Sequence, residues 1–326
     1  MKGKFVISLD FELHWGAVEI WDLNKMKSYF LNTRKSIPLV LKIFEENNIQ
    51  ATWAAVGFLF AKDKKQLLEF CPKLKPAYSD KNLSAYNYFD QVGEDENNDP
   101  FHFGFSLIQK ILDTPGQELG THTFSHYYCN EVGQTLQQFT EDLKAAQAIA
   151  QENFGISLKS LVFPRNQYNA NYLRIAQEHG IKVIRSNPDV WFWKNTKGKL
   201  ISIFRAIDTL MPVSRPLSFD STTLKQEGEI IELPASRFFR PFKDGEKAIQ
   251  TLKLRRVKDE MTYAAKHGLI YHLWWHPHNF GENVNENIRQ LKDIIIHYQY
   301  LKNRYNFQSM TMFDSYIKNK NERKVI

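Results

Sequence analysis

Apolar positions along the chain form short runs that alternate with stretches of helical spacing. Lys4 to Leu9 is rich in Phe, Val and Ile, the composition of a buried strand. Between Arg34 and Asn47, the residues Ile37, Leu39, Leu41, Ile43 and Phe44 supply an apolar stripe that predicts a helix, closed by Asn47-Asn48. Ala51 to Gly57 reads as a second buried strand. Strand, helix and strand in that order point to a parallel βαβ unit.

The rhythm continues with a short strand at Glu118–His122, a helix from Thr135 to Phe154 stopped by Gly155, and a strand at Leu158–Phe163. A helix at Asn171–His179 ends at Gly180. Later strands are expected at Ile181–Ile184, Gly228–Leu233 and Leu269–Trp275, the last preceded by a helix over Thr251–His267. Repeated β–α alternation predicts an α/β barrel or a doubly wound sheet. Two polar stretches interrupt it, at about 72–105 and 209–225. The first holds Asp95-Glu96-Asn97-Asn98-Asp99-Pro100 and the second Pro212 and Pro216, so both read as long loops that shape a site or lack order.

With 43% hydrophobic residues among 326, the chain can bury a substantial core. Its charge of +7 carries no dense basic block before the polar tail from Lys318 to Lys324, so a solvated surface explains it and no nucleic-acid partner is expected. Cys71 and Cys129 are the only cysteines, too few for a disulfide framework, which suits a reducing compartment. The first apolar run is too short for a signal segment and soon carries Asp10 and Glu12, and no run approaches the roughly 20 apolar residues of a spanning helix. A cytoplasmic protein is the expectation. Oligomeric state is not legible.

Four segments could carry chemistry. His122-Thr123-Phe124-Ser125-His126 places two histidines at i and i+4, which share one side of a helical turn and can approach one cation. Ser8-Leu9-Asp10-Phe11-Glu12 puts two carboxylates on one face of an extended strand, an arrangement that a cation or a shared proton relieves. One could ligate a metal while the other serves as general base. His276 emerges from the apolar Leu273-Trp274-Trp275 run and suits general acid work near neutral pH. His278 beside it is a further ligand, a substrate contact or a structural histidine. Arg165 ends the strand Phe163-Pro164 and could orient a carboxylate.

In this order the segments resemble the polysaccharide deacetylases, the NodB-homology group or carbohydrate esterase family four. Ala51-Thr52-Trp53 with Gly57 is similar to the family's second strand, and Gly116 to His126 to its histidine motif. Ile184 to Asp189 with Trp191 is similar to its Asp/Trp segment, Leu273 to His276 to its late histidine strand, and Phe307 to Met310 to its closing strand. The resemblance implies a distorted (β/α)7-type barrel with long loop insertions, formed as a single catalytic domain over residues 1–326. It also implies one divalent ion, often zinc, held by two histidines and an acid. Carried over, His122 and His126 are metal ligands, His276 is the acid, and Arg165 is the partner of the base, displaced by one position from the family's pattern. Phe11 stands where the family's usual second Asp would fall. Asp10 is assigned as base and Glu12 as metal ligand, with the reverse assignment open.

The function so implied is metal-dependent removal of an N-acetyl or similar N-acyl group from an amino sugar, in a saccharide or a phosphate-linked precursor of surface polysaccharide. Trp191, with His278, is the candidate sugar contact, and Arg237, Arg240, Arg255 and Arg256 are candidates to meet a substrate phosphate. Deformylation, cyclic-amide hydrolysis and a non-catalytic saccharide-binding module are the alternatives.

Overall fold

Strand β1 (Lys4–Phe11) divides its side chains between two packed layers, and the rest of the fold is arranged around that division. The computed structural model describes residues 2–188 and 216–323. Phe5, Ile7, Leu9 and Phe11 face the largest apolar cluster, whereas Val6 joins a second cluster on the opposite face. Strand side chains alternate with a period of two, so Ser8 and Asp10 follow Val6 onto this inner face. Strand β9 (Ile270–Trp275) behaves alike. Tyr271, Leu273 and Trp275 pack outward and Ile270 inward, which brings His272, Trp274 and the following His276 to the inner side. The His272 ring meets Ser8 Oγ there at 2.8 Å.

The other strands are β2 (Ala51–Ala55), β3 (Gln117–Thr121), β4 (Ser160–Leu161), β5 (Val183–Ser186), β6 (Lys225–Glu227), β7 (Ile230–Pro234), β8 (Arg237–Phe238) and β10 (Gln308–Met310). Their order is β6-β7-β5-β4-β3-β2-β1-β9-β8, with β10 also on β1, and every described pairing but β6 with β7 is parallel. One flank of β1 is shared: β10 pairs with Lys4–Val6 and β2 with Ser8–Phe11. The expected distorted barrel thus takes the form of a mostly parallel sheet curled into a half-barrel with helices around it. Parallel strands send their C-terminal ends to one rim, where sites of such folds are built.

The helices are α1 (Leu23–Glu46), α2 (Lys64–Phe70), α3 (Phe105–Asp113), α4 (Leu136–Phe154), α5 (Ala170–Glu178), α6 (Lys247–His267), α7 (Val284–Tyr305) and α8 (Met312–Arg323). Helix α1 begins at Leu23 rather than at the predicted Arg34. Asp22 caps it by accepting from the Asn24 N–H, and in its first turns Leu23, Met26, Tyr29 and Phe30 are set among polar residues, so the dense apolar stripe shows only later. Helix α4 matches expectation, with a capping box at Thr135 and Gln138 and a left-handed Gly155 at its end. The predicted strand at Leu158–Phe163 shrinks to two paired residues.

The stretch at 72–105 is a packed segment and not an open loop. Tyr78, Tyr86, Val92 and Phe103 are buried, and Tyr86 meets Phe58 at a ring distance of 5.2 Å. Its polar composition concealed these widely spaced anchors. In the second stretch, 209–215 lie outside the described residues. Pro216–Leu224 is irregular apart from one turn of 3-10 helix, and β6 starts at Lys225. No helix among the described residues is long and apolar enough to cross a membrane.

Candidate metal and acid–base site

Asp10, Glu12, Arg185, His122, His126, His276 and His278 converge on one pocket of about 280 Å3 at the C-terminal rim of the sheet. Asp10 arrives on the inner face of β1, and Glu12 follows where the strand gives way to a turn. Glu12 is 4% exposed, and its Oε1 lies 3.0 Å from His122 Nε2 and 3.3 Å from His126 Nε2. Burial alone would raise the Glu12 carboxyl, but His276, His122 and His126 outweigh it and hold the group well below the usual carboxylate range. Burial likewise depresses His126, against the pull of Glu12, which favours the neutral ring that a metal requires.

The two histidines do not meet on a helical turn, contrary to the spacing argument. Their segment is a loop in which Thr123 and His126 take positive φ, 65° and 58°. Such a backbone is strained for residues with a Cβ and persists only where its surroundings over-determine it. Here Asp142 of α4 accepts from the Phe124 N–H at 2.7 Å, the Ser125 N–H at 3.1 Å and the Ser125 hydroxyl. Tyr127 N–H donates to Thr123 Oγ1, and β2's end contributes Gly57 N–H to Thr123 O. Burial pushes Asp142 up to about 6, against those three donors.

The guanidinium that holds Asp10 comes from Arg185, not from Arg165. Arg185 donates from Nη1 to Asp10 Oδ1 and from Nη2 to Oδ2, each at 2.6 Å, and also reaches Ser8 Oγ at 3.2 Å. It is buried and lies 4.1 Å over the Trp274 ring. Burial would raise the Asp10 carboxyl, yet Arg185, helped by His122 and His276, keeps it below its ordinary value. Arg165 stands at the pocket rim instead. Its residue has φ 54°, its guanidinium stacks 4.0 Å over Tyr128, and it pairs with Glu19 at 2.9 Å and Glu131 at 3.1 Å. Sequence alone does not single out Arg185: in the fold Val183 faces the inner cluster, so the residue two positions on faces the same way.

His276 Nε2 lies 3.7 Å from both Asp10 Oδ2 and Glu12 Oε1, and its side chain is a quarter exposed. His278 stacks on it at 4.8 Å, and its buried Nδ1, 3.7 Å from Glu12 Oε2, has no hydrogen-bond partner. Burial, then the neighbouring His276, lowers His278 to about 3, so it is neutral at pH 7. Trp191, the expected sugar contact, lies outside the described residues. Of the four arginines considered for a phosphate, Arg237 and Arg256 turn to Glu260 and Arg255 lies toward Asp259, whereas Arg240 lines a neighbouring cavity. A further group absent from the sequence reading runs Asp99–His102–His14, with ring nitrogens 2.9 Å apart and His14 Nε2 on the Trp21 carbonyl. It ties the loop after Glu12 to the packed 72–105 segment.

The donor set suits a divalent ion. Glu12, His122 and His126 each offer a ligand atom, all within 4.8 Å of one another. The 3.0 and 3.3 Å separations from Glu12 approach the edge of a tetrahedron with bonds of roughly 2.0–2.1 Å. A second grouping, Asp10 with Glu12 and His276, also comes within that reach, but both Asp10 oxygens already accept from Arg185.

Residues 29–184 match a family model described as polysaccharide deacetylase. No curated protein matches the chain. Among solved structures, a putative polysaccharide deacetylase from Mycobacterium smegmatis superposes with a TM-score of 0.58 at 12% identity, over 99% of this chain and 92% of that one. A probable polysaccharide deacetylase from Pseudomonas aeruginosa PAO1 gives 0.54 at 12% identity, over 97% and 91%. Puue allantoinase gives 0.53 at 11% identity, over 96% and 89%. At such identities the structures share the fold alone; the matched span contains both site histidines and Ile184, while Asp10 and Glu12 precede it and His276 follows it. Family model and fold agree with the resemblance to the polysaccharide deacetylases, the NodB-homology group, which the model matches over residues 29–184.

Proposed function

We propose that this protein is a metal-dependent hydrolase that removes an N-acyl group, acetyl in the simplest case, from an amino sugar. The observation that carries the reading is the division of labour between two buried carboxylates. Glu12 faces His122 and His126, and Asp10 is clamped by Arg185 next to His276. Glu12, His122 and His126 would hold the ion, for which zinc fits the two-histidine, one-carboxylate set. When bound, such an ion supplies Lewis-acid chemistry, polarising the acyl carbonyl and making water more acidic.

The chain's own groups account for the proton traffic. Arg185 keeps Asp10 ionised and fixed in orientation, so that its carboxylate can take a proton from attacking water. His276, partly open to the pocket, is placed to give a proton to the departing amine. His278, neutral and stacked behind it, sets the orientation of that ring and borders the substrate space. Arg165 remains a group at the pocket rim, available to substrate rather than to the base.

The test is direct. Purified protein loaded with zinc is offered a panel of N-acetylated and N-formylated amino sugars and cyclic amides, and released acid is measured. Glu12→Gln is expected to lose the ion by elemental analysis, whereas Asp10→Asn keeps it and loses turnover. The opposite pattern would exchange the two roles. Turnover of cyclic amides alone would replace the amino-sugar reading.

A further inference from the structure

Glu12 is delivered to the pocket by a sharp turn whose anchors lie far away in the sequence, in the packed 72–105 segment. Leu13, the residue after it, takes φ 48°, a left-handed backbone that is costly for a bulky side chain and persists only where the surroundings fix it. Gly16 packs so closely that an added Cβ would fall 1.9 Å from Glu12 Oε2, so a small shift of the turn moves the carboxylate. Among the described residues, the hydrogen-bonding groups that face that carboxylate are the pocket histidines. The turn must be held from elsewhere.

Residues 99–103 supply the fixing contacts. His14 N–H donates to the Phe101 carbonyl at 3.2 Å, and Trp15 Nε1–H to the His102 carbonyl at 2.8 Å. The His14 ring meets His102 Nε2 through Nδ1 and the Trp21 carbonyl through Nε2, each at 2.9 Å. It thereby ties both ends of the loop between Glu12 and Trp21, two residues that line the pocket. His102 Nδ1 meets Asp99 Oδ2 at 2.8 Å, and Asp99 also accepts from the Gly93 and Phe101 N–H groups. A carbonyl and an ionised carboxylate only accept, so the three hydrogen bonds of this row need three protons, and two neutral imidazoles bring two. The row therefore holds one proton more, which offsets the Asp99 charge where Asp99, His102 and His14 are all buried.

We propose that Asp99, His102 and His14 are positioning residues for Glu12, which set its turn before an ion arrives and so raise the affinity of the site. Their role rests on the metal reading of Glu12, His122 and His126 and is independent of the substrate. Partners behind a metal ligand commonly change affinity by about 10–100-fold.

Zinc affinity is measured by chelator competition in the wild type, His102→Phe, His102→Gln and Glu96→Gln. The phenyl ring keeps bulk but cannot bond His14, and it is expected to weaken zinc binding by about tenfold or more. The glutamine amide can still donate to His14 and should recover most of that loss. Glu96→Gln loosens the same segment at its contacts with Arg34 and Ser106, away from the row, and should lower the melting temperature without changing zinc affinity. Unchanged affinity in His102→Phe, no recovery in His102→Gln, or an equal loss in Glu96→Gln overturns the proposal. Proton NMR of the wild type decides the case whether or not a variant folds. Hydrogen-bonded ring N–H signals of His14 and His102 should stand downfield of the amides both with and without zinc. Their appearance only with zinc would make the row a consequence of the ion and refute its positioning role. Any of these refuting results in a wild type that binds zinc leaves the metal reading intact, whereas a wild type that binds none sinks that reading and this role with it.

Discussion

Replacing Arg185 by Met keeps an unbranched stem over Trp274 and removes both hydrogen bonds to Asp10. Asp10 is 2% exposed, so its carboxylate would be left in a dry site without its main counter-charge. Deleting one partner of a buried ion pair costs about 3–5 kcal/mol. The pH dependence follows from the direction of the shift. In the wild type the folded pKa lies below the unfolded one, so the pair adds stability above the unfolded value of about 3.9 and loses it as pH falls through the folded value. In the variant, burial acts without that guanidinium and the folded pKa rises. The stability difference between the proteins should therefore shrink as the pH is lowered, and the acid limb of kcat/KM should move to higher pH. Urea unfolding at about pH 5 and about pH 7.5, with metal content matched, reads the first effect, and a pH–rate profile reads the second. Arg165→Ala is the control, since a partly exposed rim pair is worth about 0–1 kcal/mol and should leave the acid limb in place. A loss below about 1 kcal/mol in Arg185→Met, or a difference independent of pH, would refute the reasoning.

Gly16→Ala should lower metal affinity by about 10–100-fold with the fold retained, because an added Cβ would fall 1.9 Å from Glu12 Oε2 and displace that carboxylate. Competition with a fluorescent chelator measures it, and unchanged affinity would show that the Glu12 position is not critical. Asp142→Asn should cost about 1–3 kcal/mol at neutral pH, since an amide cannot accept from all three donors of the histidine loop, and should weaken metal binding as well. Asp142 is an acid whose folded pKa, about 6, lies above its unfolded value, so its contribution to stability falls as pH rises from about 4 to about 6. The variant's unfolding free energy should lack that slope.

Much of the candidate site was legible because the relevant residues sit at the ends of strands whose alternation can be read from the chain. Asp10 and His276 share an inner face with Val6 and Ile270, a relation set by a period of two and independent of the rest of the fold. Where the chain leaves regular structure, spacing misleads. His122 and His126 meet through two positive-φ residues and the Asp142 acceptor, neither of which a helical i, i+4 rule contains. The 72–105 segment read as an open loop because its buried aromatics are far apart in sequence, and contact with Phe58 becomes visible only when the chain is folded.

The linear pattern by itself determined the β–α order and the inner face of the first strand, and it narrowed the side chains that could hold a cation to a few candidates, because local periodicity and residue chemistry are properties of short segments. Tertiary structure alone decided which guanidinium serves Asp10. Arg165 lies beyond the short strand at 160–161, where the chain gives way to a left-handed turn that swings it to the rim, toward Glu19 and Glu131. Strand β5 continues to Ser186 and carries Arg185 inward, where a buried carboxylate has no water to satisfy it and a fixed planar cation meets both of its oxygens.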